Sequence, residues 1–210
     1  MDQKQINRFF RSVALHLDRP ARVIVTGAAA GSLLGYIRPS LDIDFAVEWV
    51  GQSKKEWRKM EEAITQAQKL TGIHANYAEE IDRWGAISLL DYRSHVRPYR
   101  SFGKLRVTVL DPAYWTIGKM TRFLNSDIQD MIEVISREGI PSGKLARLWG
   151  KALRASPHST ASFQFRKQVE YFLRQHGKSV WGKQFNPEPS IKLFHEKAQP
   201  RGKISSAQIP

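Results

Sequence analysis

The sequence contains no cysteine, which excludes disulfide staples, thiolate metal sites and a cysteine nucleophile together; any metal must sit on oxygen or imidazole. The six histidines show no metal-ligand spacing. No apolar run reaches the length that crosses a bilayer, and the polar stretch from Met1 to Arg8 does not read as an export signal. The chain therefore reads as cytoplasmic, with no membrane partner. Acidic residues are scarce: 20 Asp plus Glu stand against 33 Lys plus Arg, a net charge of +13, and an imbalance of that size favours polyanionic partners. There is no internal repeat, and 210 residues are enough to bury a substantial core.

Apolar residues Ile6, Phe9, Phe10, Val13 and Leu17 recur at helical spacing and predict an opening amphipathic helix that ends before Pro20. The run Arg22 to Thr26 is short, β-branched and closed by Gly27, as a buried strand entering a tight turn would be. A small-residue helix, Ala28 to Leu34, is expected next. From Ser40 to Val50, Ile43, Phe45, Val47 and Trp49 alternate with Asp42, Asp44, Ala46 and Glu48, the period of a strand with one apolar face. Ser53 and Glu56 fit a capping box for a helix that Gly72 stops. Ala86 to Tyr92 and Leu105 to Leu110 are the remaining strand candidates. Asp111 and Pro112 start a helix to about Leu124, followed by helices over Asp127 to Arg137, Gly143 to Arg154 and Ala161 to Gln175. Beyond Gly177 the prolines at 187, 189, 200 and 210 with scattered lysines read as an extended basic arm. The expected class is α+β, a small mixed sheet flanked by helices with a C-terminal helical annex, divided as 1–138, an annex over 139–177 and a tail over 178–210.

An Asp-x-Asp on a strand places two carboxylates on one sheet face, so Asp42 and Asp44 can clamp one or two Mg²⁺ ions from a rigid platform. Exposed strand faces also carry acids for solubility alone. What adds weight is the turn before them, where free backbone amides at a strand-to-helix junction suit a phosphate. Two anchors stand open, Gly27 with Ala28 at the strand end and Gly31 with Ser32.

In this order, the run from Val25 to Phe45 resembles the first motif of the polymerase-beta-like nucleotidyltransferases. It is most similar to the small bacterial group that includes abortive-infection toxins and minimal nucleotidyltransferases. There a glycine pair, an Arg-x-Ser or Arg-x-Thr and an Asp-x-Asp recur, and Arg38 and Ser40 occupy the middle places. Ala28 departs from the pattern, standing where that group has a second Gly or Ser. A later block, Lys119 with Arg122 and then Asp127 with Asp130, is similar to the family's Lys-x-x-Arg and Asp-x-x-Asp helices.

The resemblance implies the nucleotidyltransferase fold, Mg²⁺ (or Mn²⁺) on Asp42 and Asp44, and a nucleoside triphosphate as substrate. Gly27, Ala28, Ser32, Arg38, Ser40 and Arg122 would bind the nucleotide, and Lys119 would contact its phosphates. Asp127 or Asp130 would complete the acidic site or orient Lys119; the same residues could equally form a salt-bridge set that only holds two helices together. A third carboxylate is common in the family, and Asp91 is the favoured position. The implied reaction moves a nucleoside monophosphate to a hydroxyl of RNA, tRNA or a partner protein, in some relatives within a toxin and antitoxin pair. The alternative is an inactive nucleotidyltransferase-like RNA-binding or antitoxin module.

Two basic stretches would serve such an acceptor. Arg93, Arg97, Arg100 and Lys104 interleave with Tyr92, Tyr99 and Phe102, a mixture suited to phosphate contact and base stacking. Lys144, Arg147, Lys151 and Arg154 line one helix face at 3,4,3 spacing, a stripe of a single sign.

Overall fold

The computed structural model describes residues 1–35, 41–49 and 53–199. It is an α+β chain with a five-stranded mixed sheet and flanking helices. Helix α1 (Gln3–Leu15) opens with a capping box on Asp2, and β1 (Ala21–Thr26) runs into the short helix α2 (Gly27–Leu33). Strand β2 (Asp42–Trp49) carries the Asp-x-Asp. Helix α3 (Lys54–Thr71) begins at the Ser53/Glu56 capping box and stops at Gly72, which takes the left-handed conformation at φ 71.

Strands β3 (His74–Ala78), β4 (Val96–Phe102) and β5 (Leu105–Leu110) complete the sheet, in the order β3-β2-β1-β5-β4. β1 is antiparallel to β2 and parallel to β5, β2 is parallel to β3, and β4 is antiparallel to β5. Side chains alternate across a pleated strand, so Ile43, Phe45 and Val47 share one face of β2 and Asp42 and Asp44 the other. On the first face Phe45 meets Phe9 and Phe10 of α1 at ring-centroid distances of 6.3 and 5.6 Å. That aromatic cluster fixes which way β2 is turned, because a one-residue slip would exchange its phenyl ring for the carboxylates.

Helices α4 (Pro112–Arg122), α5 (Asn125–Arg137), α6 (Ser142–Ala155), α7 (Thr160–Trp181) and α8 (Glu188–Ala198) follow. Asp111 caps α4 by accepting from the Ala113 amide at 2.9 Å. α4 packs against α5, α6 and α7, and the buried Trp149 indole of α6 donates to Thr116 Oγ of α4 at 2.9 Å. Among the described residues no helix is long and apolar enough to cross a membrane.

Three expectations need correction. Ala86 to Tyr92 is not a strand. Its Ile87 and Leu89 are buried, but its amides are taken by side chains: Ser88 N–H donates to Ser156 Oγ, Leu89 N–H to Asp82 and Leu90 N–H to Ser88 Oγ. The basic segment between the two strand candidates, given no strand in the sequence reading, is the edge strand β4, where Pro98 is tolerated beside a bulge at Pro98/Arg100. The extended arm expected from residue 178 is helical to Trp181 and again over Glu188–Ala198; residues 200–210 lie outside the described part. Pro187 is the N-cap of α8 and Pro189 lies in its first turn, where a missing N–H costs nothing.

α8 is held by a close approach to α6. A Cβ on Gly150 would stand 2.6 Å from the Phe194 carbonyl oxygen and 2.7 Å from Lys197 Cβ. Gly150→Ala is expected to destabilise the chain by about 1–3 kcal/mol through overpacking and to expose the segment after Trp181 to limited proteolysis, with the fragment pattern and the melting temperature as the readouts.

Candidate active site

The polar face of β2 meets the end of β1, where Asp44 pairs in register with Thr26. The next residue, Gly27, has φ 62, and a Cβ there would lie 2.1 Å from Asp44 Oδ2. Glycine is thus required twice over, by backbone conformation and by the carboxylate lying against it. The Gly27 carbonyl accepts from the Trp115 indole at 2.7 Å, which ties the turn to α4.

On the other side of β2, Asn76 of β3 stands in register with Asp44. Its Nδ2 donates to Asp42 Oδ2 at 3.0 Å and to Asp44 Oδ1 at 2.9 Å, so one oxygen of each carboxylate converges on a single point. Asp44 is partly buried, and its carboxyl is pushed above the usual carboxylate range; burial is the largest cause, the Asn76 hydrogen bond opposes it, and the neighbouring charge of Asp42 adds to it. Among the described residues the pair is not joined into a group of three or more His, Asp or Glu able to hold a metal.

In front of Asp44 opens a cavity of about 450 Å³, lined on its polar side by Gly27, Asn76, Lys119 and Arg122 and on its apolar side by Ile87 and Trp115 among others. That volume falls within the roughly 300–1,000 Å³ common for small-molecule sites. Lys119 is 3% exposed. Its Nζ donates to Asp127 at 3.0 Å and Asp130 at 2.7 Å and sits 4.9 Å from the centre of the Trp115 ring. Arg122 grips Asp127 with two hydrogen bonds, at 3.1 and 2.6 Å. Burial pushes the Asp127 carboxyl up, but the hydrogen bonds from Arg122 and Lys119 outweigh it and hold it below its ordinary range.

This network joins α4 to α5 and keeps two cations at the cavity wall. Lys119 and Asp127 are both buried, so removing Lys119 leaves the Asp127 charge to the half-exposed Arg122 alone. Lys119→Met is expected to lower the unfolding free energy by about 3 kcal/mol, measured by urea denaturation; a change within the range of an ordinary surface substitution would show that Lys119 is not needed to neutralise Asp127.

The remaining sequence candidates fall elsewhere. Ser32 turns its hydroxyl back toward the Ala28 carbonyl at 3.4 Å, and neither residue lines the Asp44 cavity; of the two anchors, Gly27 is the one beside the carboxylates. Arg38 and Ser40 lie outside the described residues. Asp91 accepts from Ser94 Oγ at 2.7 Å at the start of a 3-10 turn, away from the cavity lining. The neighbour that the sheet brings to the Asp pair is Asn76, whose signal in the sequence is faint: a single amide in a short polar strand.

The basic stretches also separate. Arg93 pairs with Glu48 and Glu80, and Arg97 with Glu138 at 2.7 Å. Lys104 Nζ donates to the Asp18 carbonyl at 2.6 Å, while Arg100 is exposed. Arg93 and Lys104 line a second, larger cavity of about 1160 Å³ at the other end of the strands, beside Ala21 and Val47. Lys144, Arg147, Lys151 and Arg154 form an exposed row on α6 opposite the buried Leu145, Leu148 and Ala152. Comparison of the chain with family models, curated proteins and solved structures gives no match.

Proposed function

We propose that the chain is a nucleotidyltransferase of the polymerase-beta-like type, moving a nucleoside monophosphate from a nucleoside triphosphate to a hydroxyl on RNA, tRNA or a partner protein. The observation that carries this reading is the convergence of Asp42 and Asp44 on one point beside a glycine with no room for a side chain, at the mouth of a cavity walled by Lys119 and Arg122. Hard carboxylate oxygens gathered in this way suit Mg²⁺ or Mn²⁺, and Asp42 and Asp44 are the residues that would hold it. When bound, such an ion offsets charge on the triphosphate and acts as a Lewis acid at the reacting phosphate.

The chain's own groups do the rest. The acceptor oxygen bonds to the α-phosphorus as the bond to the bridging oxygen breaks; pyrophosphate leaves and the hydroxyl proton passes to solvent. Gly27 lets the triphosphate approach the backbone beside Asp44. Arg122, half exposed and fixed at its base by Asp127, presents a guanidinium toward developing phosphate charge. Lys119 supplies fixed positive charge from the wall. The aliphatic and indole surfaces of Ile87 and Trp115 give the nucleoside an apolar seat. The exposed row on α6 and Arg100 are proposed as acceptor-facing surfaces; the toxin and antitoxin setting remains an implication of the family resemblance.

Incubation with each labelled triphosphate, Mg²⁺ and total RNA or a cell extract tests the reading. Transfer of label by the wild type that disappears in both Asp42→Ala and Asp44→Ala is the expected result. A second reading, a non-catalytic RNA-binding or antitoxin module, draws on one observation: the Lys119 ammonium is engaged by two carboxylates. It predicts salt-sensitive RNA binding without transfer, unchanged in either variant.

A further inference from the structure

The geometry points to Asn76 as the third oxygen ligand of the cation site, reached by rotation of its side-chain amide: without metal its NH₂ bridges Asp42 and Asp44, and with metal its carbonyl oxygen faces the ion. This rests on the reading that Asp42 and Asp44 bind a divalent cation.

β3 runs parallel to β2 with Asn76 beside Asp44 and His74 beside Asp42, which puts an amide directly next to both carboxylates. One nitrogen donates to both acids at 3.0 and 2.9 Å, which places the amide at the point where the two carboxylates can share a positive charge. An NH₂ group cannot remain aimed at that point once a divalent cation arrives, because its hydrogens carry partial positive charge. An asparagine amide has an alternative the carboxylates lack. Half a turn about its terminal torsion exchanges two donors for a carbonyl acceptor in nearly the same place, and such carbonyls are ordinary ligands for hard cations.

The place of Asn76 in the fold leaves room for that turn. It is the outer strand of the sheet, and Asn76 is exposed. The amide then has two duties. It relieves repulsion between the two acids when the site holds no metal, and it adds a neutral oxygen when the site is loaded. A neutral ligand in place of a third carboxylate leaves the loaded site less negative, so the triphosphate contributes a larger share of the metal's ligands. Metal and nucleotide should therefore bind cooperatively.

Mn²⁺ affinity measured by electron paramagnetic resonance of the free ion, on the full chain, separates the outcomes. Wild type, Asn76→Ala, Asn76→Asp and Asp44→Ala are compared, with melting temperature as the check on folding. Asn76→Ala is expected to bind Mn²⁺ about tenfold more weakly, and Asn76→Asp about tenfold more tightly, because a third charged oxygen replaces a neutral one. In the wild type, Mg²⁺ is expected to shift the Asn76 side-chain amide resonances in a ¹⁵N spectrum. If Asn76→Ala binds Mn²⁺ as well as the wild type or better, while Asp44→Ala has lost it, the amide only stands in for the cation and the inference is overturned. If the wild type binds no better than Asp44→Ala, the metal site itself fails, and the functional reading fails with it.

Discussion

Asp44→Asn is expected to abolish nucleotide transfer and, in the same protein, to raise the melting temperature. On the proposed reading, the loss follows from removing one of the two charged oxygens that would hold the metal, whose stabilisation of transition-state charge is worth several kcal/mol; about 4 kcal/mol corresponds to a rate decrease on the order of 10³. The gain follows from the direction of the Asp44 shift. Burial, with the charge of Asp42 added and the Asn76 hydrogen bond only partly offsetting it, raises the folded-state pKa above the unfolded one. A carboxylate shifted that way favours protonation in the fold, so stability declines as pH rises from the unfolded value through the folded one and stays low above it. A neutral amide avoids this penalty. The variant should therefore melt higher than the wild type near pH 7, and the difference should shrink as pH falls through the raised folded-state value of Asp44 toward the ordinary carboxylate range. Thermal melts across that range, in chelator, check the sign. A variant that melts lower at every pH would show that Asp44 stabilises the fold and does not strain it.

Gly27→Ala is the second change with a large expected effect, because two penalties fall on one methyl group. A non-glycine residue at φ 62 is in the left-handed region, at a cost of about 1–2 kcal/mol. The new Cβ would also stand 2.1 Å from Asp44 Oδ2 and 3.0 Å from its Cγ, so either the turn or the carboxylate must move. Displacing Asp44 breaks its hydrogen bond to Asn76, and displacing the turn breaks the bond from the Trp115 indole to the Gly27 carbonyl. Activity should fall below detection and stability by about 2–4 kcal/mol in total. A double-mutant cycle separates the parts. Adding Asp44→Ala removes the side chain that the methyl meets, so Gly27→Ala should cost clearly less in that background, leaving mainly the backbone term. Equal costs in both backgrounds would show that the carboxylate is not what excludes a side chain at residue 27.

How much of this the sequence revealed depended on whether the signal was local. The capping box at Ser53 and Glu56, the Gly72 stop and the Asp111 cap are set by residues within one helical turn, and each appears where expected. The face of β2 that carries Asp42 and Asp44 was legible because Ile43, Phe45 and Val47 alternate against it. The Lys119, Arg122, Asp127 and Asp130 set was legible as helix-face spacing, and its function as an ion-pair network was one of the two readings kept open.

What failed was non-local. His74–Ala78 lacks a β-branched residue, so nothing in it announced a strand; Asn76 matters only because the parallel ladder sets it beside Asp44. Ile87 and Leu89 alternate as a strand would, but side-chain acceptors take the neighbouring amides. Gly177 read as a stop, yet it lies inside α7, where a Cβ would meet the Phe185 ring at 2.3 Å; it is small to let the following segment fold back. Pro187 and Pro189 read as breakers and instead begin a helix.

The most direct test of metal binding at Asp42 and Asp44 is a crystal structure of the chain soaked with Mn²⁺ and a non-hydrolysable nucleoside triphosphate, with anomalous scattering recorded to locate the metal. The expected result is a Mn²⁺ peak bound by carboxylate oxygens of both Asp42 and Asp44 at about 2.0–2.3 Å, with the triphosphate running past Gly27 toward Arg122. Nucleotide and metal bound away from these two carboxylates, or no metal at them at saturating Mn²⁺, would contradict it.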